Sequence, residues 1–169
     1  MKTILQPHTP INNITIHTTL NFTNKRLFLS FKIEGLLENY IFPKEKNINR
    51  ANELWKATCF ELFLADSKKE EYYELNFSPS KEWNFYHLNN YRTELEEVEE
   101  VLFTIDTVFI ENRYEVKISL EPKEGSFPFF DIYNSATILL TSDKKRTFWS
   151  LNKMKDIPDF HCKDFFNKF

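Results

Sequence analysis

Apolar and polar positions alternate through much of this chain. Ile14, Ile16, Leu20 and Phe22 share one side of the run 14–22. Leu27, Leu29, Phe31 and Ile33 repeat the pattern after the polar turn Thr23-Asn24-Lys25-Arg26. A period of two marks a strand with one apolar face, so this stretch reads as a hairpin, closed by Gly35. The same alternation predicts strands at 58–64, 72–77 and 83–88, and a second hairpin at 103–110 and 113–120 with its turn at Glu111-Asn112. Shorter runs at 129–133 and 136–142, divided by Asn134-Ser135, precede a last strand at 147–151. The span 36–52 reads as an irregular connection. The five glutamates of 94–100 read as a short helix or, better, a solvated acidic face. Some nine short strands at regular spacing with no long helical pattern predict an all-β fold, an antiparallel β-sandwich, in a single domain over 1–169.

The three runs between 58 and 92 carry the most chemistry. In 58–64 Phe60, Leu62 and Leu64 face the core and Cys59, Glu61 and Phe63 the other side. In 72–77 Tyr73, Leu75 and Phe77 are the core face, opposite Tyr72, Glu74 and Asn76. In 83–88 Trp83 and Tyr86 fall on opposite faces, and alternation does not decide which is core. Glu61 and Glu74 therefore lie on one face of adjacent strands. Three readings of them stay open. A glycosidase uses two carboxylates, one with a raised pKa. A sugar-binding protein uses them as acceptors for hydroxyls. A structural network neutralises them with Arg50 or Arg92.

Composition narrows the choice. Phe alone accounts for 18 residues, and aromatic residues for 17%, which suits a core between packed sheets. The net charge is −3 with scattered basic residues, against the basic stripe of a nucleic-acid binder. No apolar run is long enough to span a membrane. The first ten residues lack the apolar segment of a signal peptide, and Cys59 and Cys162 are too few for a disulfide framework. Reduced thiols in a cytoplasmic protein are the expectation. With 2 glycines there is no phosphate-cradling loop. Cys59 sits mid-strand and reads as a packed thiol, not as the partner of His161 in a nucleophilic pair. Asp159, His161 and Cys162 match no zinc spacing.

Several segments resemble a known group. They are Arg50, Leu54-Trp55, Thr58-Cys59-Phe60-Glu61, Tyr73, Asn76-Phe77-Ser78-Pro79-Ser80, Trp83, Tyr86, Tyr91-Arg92, Trp149 and Pro158-Asp159-Phe160-His161. Together they resemble bacterial DOMON-like proteins, of the superfamily that includes the family-nine carbohydrate-binding modules. Lys81 stands where that group often has a glycine. The resemblance implies a jelly-roll-like sandwich with a ligand site on one curved sheet, where relatives bind sugars or haem. It implies a non-catalytic module for a carbohydrate or sugar-containing metabolite. The candidate ligand-binding residues are Arg50, Trp55, Glu61, Glu74, Asn76, Trp83, Arg92 and Trp149, with Trp83 favoured as the stacking ring. No metal or cofactor is expected. Haem, the alternative, would need Met1, Met154 or a histidine as axial ligand, and a protein-interaction face is a further alternative.

Overall fold

A computed structural model describes residues 1–153 and 157–169. The strands are β1 (Lys2–Ile4), β2 (Gln6–Pro7), β3 (Ile14–Phe22), β4 (Leu27–Gly35), β5 (Asn49–Arg50), β6 (Cys59–Ala65) and β7 (Tyr72–Phe77). They continue with β8 (Glu82–Leu88), β9 (Glu96–Glu97), β10 (Val101–Ile110), β11 (Arg113–Pro122), β12 (Ile132–Leu140), β13 (Arg146–Ser150) and β14 (Asn167–Lys168). Helical geometry among the described residues is confined to three short 3-10 turns. The all-β fold expected from alternation is the fold observed.

Two sheets form. The smaller has the order β1-β3-β4-β11-β10, and the larger β2-β13-β12-β6-β7-β8-β5, with β14 added to β12 and β9 to β8. Pairing is antiparallel throughout except for β5 beside β8. The hairpin β3–β4 runs in register from Ile14 opposite Gly35 to Phe22 opposite Leu27. Gly35 is required there: its φ is +134°, and a Cβ would fall 2.0 Å from the Asn13 carbonyl oxygen.

The main core lies between the sheets. Phe31 of the smaller sheet meets Phe60 and Phe77 of the larger at ring-centroid distances of 5.0 and 5.9 Å. In β3, β4 and β11 one face is buried and the other open, as alternation requires. In β6 every residue is buried. A second apolar cluster explains this: Phe63, Ala65, Tyr72, Tyr86, Leu88, Ile138 and Phe160 cover the outer face of the larger sheet.

Three sequence expectations need correction. Asn134 and Ser135 do not break a strand but sit fully buried inside β12, paired with Phe63 and Leu62 of β6. Tertiary pairing overrides their turn preference. Residues 49–50, placed in an irregular connection, form β5. Part of the acidic segment forms β9, which pairs with Tyr86 and His87 while its glutamates stay exposed.

Candidate functional site

Register places the polar residues of the outer face together. Across the larger sheet Ser150, Ala136, Glu61, Asn76 and Asn84 stand opposite one another in turn. The next row with the same orientation holds Asn134, Phe63, Glu74 and Tyr86. Glu61 and Glu74 are diagonal neighbours on this surface, each only 3% exposed. Above them opens a cleft of about 510 Å³, lined by Trp55, Phe148 and Phe160 as rings and by Glu61, Glu74, Arg92, Arg146 and His161 as polar groups.

The sheet supplies the floor and distant segments supply the walls. Trp55 comes from the 3-10 turn Leu54–Lys56. Arg92 follows β8 in left-handed backbone, φ 51°. Pro158, Phe160 and His161 come from the far side of the chain. Arg92 binds the last group: its Nη2 donates to Asp159 Oδ1 at 2.9 Å, and its Nε to the Tyr91 hydroxyl at 3.2 Å. The Tyr91 hydroxyl in turn donates to Asp159 Oδ2 at 2.6 Å. The Arg92 amide donates to the Tyr72 hydroxyl at 3.2 Å, and that hydroxyl lies 2.7 Å from His161 Nδ1.

That chain fixes the histidine. The Tyr72 hydroxyl accepts from the Arg92 amide and shares one hydrogen with Nδ1, carried by the hydroxyl in one imidazole tautomer and by the ring in the other. Burial, and then the Arg92 charge, lower the His161 pKa to about 4. Met154 lies outside the described residues. Met1 Sδ is 3.6 Å from the Tyr133 hydroxyl, away from the cleft.

The carboxylates are the electrostatic anomaly. Glu74 Oε1 accepts from Asn76 Nδ2 at 2.7 Å. Glu74 Oε2 has no hydrogen-bond partner among the described residues, and its approach to His161 Nδ1 is 3.9 Å. Burial pushes the Glu74 pKa up to about 7, against the Asn76 hydrogen bond and the Arg92 charge. Burial, and then the charge of Glu74, raise Glu61 well above the ordinary carboxylate range, with Arg92 opposing. The bidentate arginine pair expected for these residues does not form.

The remaining expected site residues divide. Trp55 lines the cleft, and so does Arg92. Asn76 lies beneath Glu74, which it orients. Arg50 is elsewhere: its Nη1 donates to Asn84 Oδ1 at 2.6 Å, its Nη2 to the Val98 carbonyl at 2.5 Å, and it covers the Trp83 ring at 4.4 Å. Trp83 and Trp149 belong to the core between the sheets, not to the cleft. Trp83 stacks on Phe103 at 4.2 Å between centroids, so its apolar face is spent on packing. Tyr86 is the residue of β8 that shares the face of Glu74; its hydroxyl donates to Asn52 at 2.5 Å. His161, Phe148, Phe160 and Arg146 complete the cleft without having been chosen from the sequence. The Pro158–His161 motif was the available signal, but nothing local says which strands it meets. Cys59 is buried and Cys162 partly so, and neither forms a disulfide. Burial first, then Glu61 and Glu74, push the Cys59 thiol far up, which suits a packed thiol.

No protein-family model matches the chain, and no curated protein matches it. Among solved structures, the fold is similar to that of a Bacteroides uniformis protein to which carbohydrate binding is provisionally ascribed. The TM-score is 0.68 at 12% identity, over 99% of this chain and 84% of that one. Family-nine carbohydrate-binding modules from Caldicellulosiruptor kristjanssonii also align. The complex with cellotriose gives a TM-score of 0.47 at 10% identity, over 89% of this chain and 72% of that one. The complex with glucose gives 0.44 at 11%, over 85% and 69%. At 12% identity the likeness to the Bacteroides uniformis protein is one of fold. No helix among the described residues is long and apolar enough to cross a membrane.

Proposed function

We propose that the outer-face cleft binds a carbohydrate or sugar-containing metabolite without transforming it. The observation that carries this reading is the cleft's lining: acceptors on the floor at Glu61 and Glu74, donors at Arg92 and Arg146, and rings at Trp55, Phe148 and Phe160. A pyranose presents that combination in reverse, with hydroxyls at its rim and C–H groups on its faces. The fold shared with a protein described as carbohydrate-binding supports the same reading. Affinity for a single sugar ring should be weak, with Kd about 10 µM to 1 mM. The test is a panel of mono- and oligosaccharides titrated by protein-observed NMR. Shifts at the Trp55 indole, absent in Trp55→Ala, support the reading. No shift at millimolar sugar would sink it and leave the cleft to a protein partner.

A second reading is favoured by the Glu74 pKa of about 7, the kind of value a general acid needs. Aryl glycosides distinguish it. Release of the aryl group that Glu61→Gln and Glu74→Gln both abolish would make the protein a hydrolase; no release leaves a binding module.

A further inference from the structure

We infer that two copies of this chain associate about a two-fold axis, the edge strand β10 pairing antiparallel with its counterpart and centred on Ile105. This surface belongs to the smaller sheet and does not involve the cleft.

β10 is an edge of the smaller sheet. The other strands that end or flank a sheet are short: β1 has 3 residues, and β2, β5, β9 and β14 have 2 each. β10 has 10 residues, no proline and a single charge, Asp106. Its register with β11 runs unbroken from Val101 opposite Pro122 to Ile110 opposite Arg113, so no bulge turns the edge away. Brevity, several charges, proline or a bulge are the usual protections of an edge strand against pairing with another chain. β10 keeps only the one carboxylate.

The hairpin decides which backbone groups face outward. Glu111 and Asn112 make a two-residue turn, so Ile110 and Arg113 exchange hydrogen bonds. The even residues of β10 therefore bond to β11. The odd residues Phe103, Ile105, Thr107 and Phe109 turn their N–H and C=O groups to the open side. Among the described residues none of these groups meets a backbone partner there. The neighbouring segment 42–45 meets β10 through side chains: the Phe42 ring is 5.4 Å from that of Phe109, and Thr107 Oγ1 donates to Glu45.

A second copy fits this edge because the strand is complementary to itself. With the axis at Ile105, the free groups of Ile105 meet those of the partner's Ile105, and Phe103 meets the partner's Thr107. Leu102, exposed, faces the partner's Val108, exposed as well. The exposed Phe109 faces the partner's Val101. Thr104 faces the partner's Asp106, a hydroxyl donor before a carboxylate. Moving the axis to Asp106 would set two carboxylates directly opposite, with Cα atoms about 4.5 Å apart, which is destabilising. Moving it to Thr104 would carry Val108 and Phe109 past the end of the facing strand. A two-fold contact uses the edge once in each copy, so pairing closes at the dimer. One strand pair is a small interface, which places Kd at about 1–100 µM.

The experiment is sedimentation equilibrium of the full chain from about 1 µM to 1 mM. The unaltered chain should pass from monomer to dimer within that range. Leu102→Glu and Val108→Lys, both at exposed positions, should each weaken association about tenfold or more. An equimolar mixture of the two variants should recover it, since the substituted side chains then face each other with opposite charge. Leu102→Cys/Val108→Cys is the second test should either charge variant fold poorly. Those positions form non-hydrogen-bonded pairs across the axis, at a Cα separation a disulfide accepts. Mild oxidation should give a covalent dimer that neither single cysteine variant gives. A chain that stays monomeric at about 1 mM overturns the inference. So does a dimer that neither charge variant weakens, one that the mixture does not restore, or a cysteine pair that does not cross-link.

Discussion

The Tyr72 hydroxyl lies 2.7 Å from His161 Nδ1 across 89 residues of chain. This one hydrogen bond ties β7 to the cleft wall, where burial and then the Arg92 charge keep the imidazole neutral. With Tyr72 as the donor to Nδ1 the bond favours the neutral ring, so Tyr72→Phe should let the His161 pKa rise from about 4. NMR titration of the imidazole would show it. The accompanying loss of stability should be about 1 kcal/mol, the net worth of an ordinary hydrogen bond. An unmoved titration would mean that burial and Arg92 alone set the value.

Stability should fall as pH rises through neutrality. Glu74 is raised from 4.5 to about 7 in the folded state, so the folded protein binds more protons than the unfolded chain. The contribution is fully present below the unfolded value and is lost as pH passes through the folded one. At 1.36 kcal/mol per unit the loss is on the order of 3 kcal/mol between about pH 4 and pH 8. Glu61, raised in the same direction, adds to it. Urea denaturation across that range should show the decline, and Glu74→Gln should flatten it and stabilise the protein at pH 8.

Trp83→Ala and Trp55→Ala should separate folding from binding. Trp83 is 7% exposed and stacked on Phe103, so its loss should cost about 3–5 kcal/mol. Trp55 lines the cleft, and its truncation should cost no more than about 1 kcal/mol while removing ligand-induced shifts. Denaturant midpoints and NMR titrations of the two variants decide the assignment.

Lys81 adopts φ 69°, in the left-handed region. A side chain there costs roughly 1–2 kcal/mol, which explains why glycine suits the turn. The Lys81–Glu45 ion pair at 2.8 Å returns part of that cost. Lys81→Gly should raise stability by about 0.5–1 kcal/mol, read from the denaturation midpoint. A loss would show that the ion pair outweighs the backbone strain.

Much of the fold was legible because alternation reports which face of a strand is apolar. In β3, β4 and β11 that is sufficient, since one face is open. In β6 it identified Glu61 as facing away from the core between the sheets, but not that a second apolar layer buries it. In β8 the parity of Trp83 and Tyr86 was plain and its sign was not, because both faces of that strand are covered. Asn134 and Ser135 carry a local turn signal that two neighbouring strands override. The cleft walls were beyond reach for a simpler reason: Trp55, Arg92 and His161 meet only through the folded chain.

The apolar layer on the outer face is separate from the core between the sheets, and the segment 157–169 forms much of it through Phe160, Phe165 and Phe166. That segment is held by β14 on β12 and by side-chain hydrogen bonds, among them Arg92 to Asp159 at 2.9 Å, Asn152 Nδ2 to the Phe165 carbonyl at 2.8 Å and Lys163 Nζ to the carbonyls of Lys69 and Glu70, both at 2.7 Å. Lifting it would part Phe169 from Phe22 of β3 but leave the ring stack of Phe31, Phe60 and Phe77 in place. Amide exchange should accordingly come in two tiers, with 157–169 opening well below the free energy of global unfolding. Whatever occupies the cleft would then bind a surface that the chain can uncover on its own, and slowed exchange in this segment would be the first trace of occupancy.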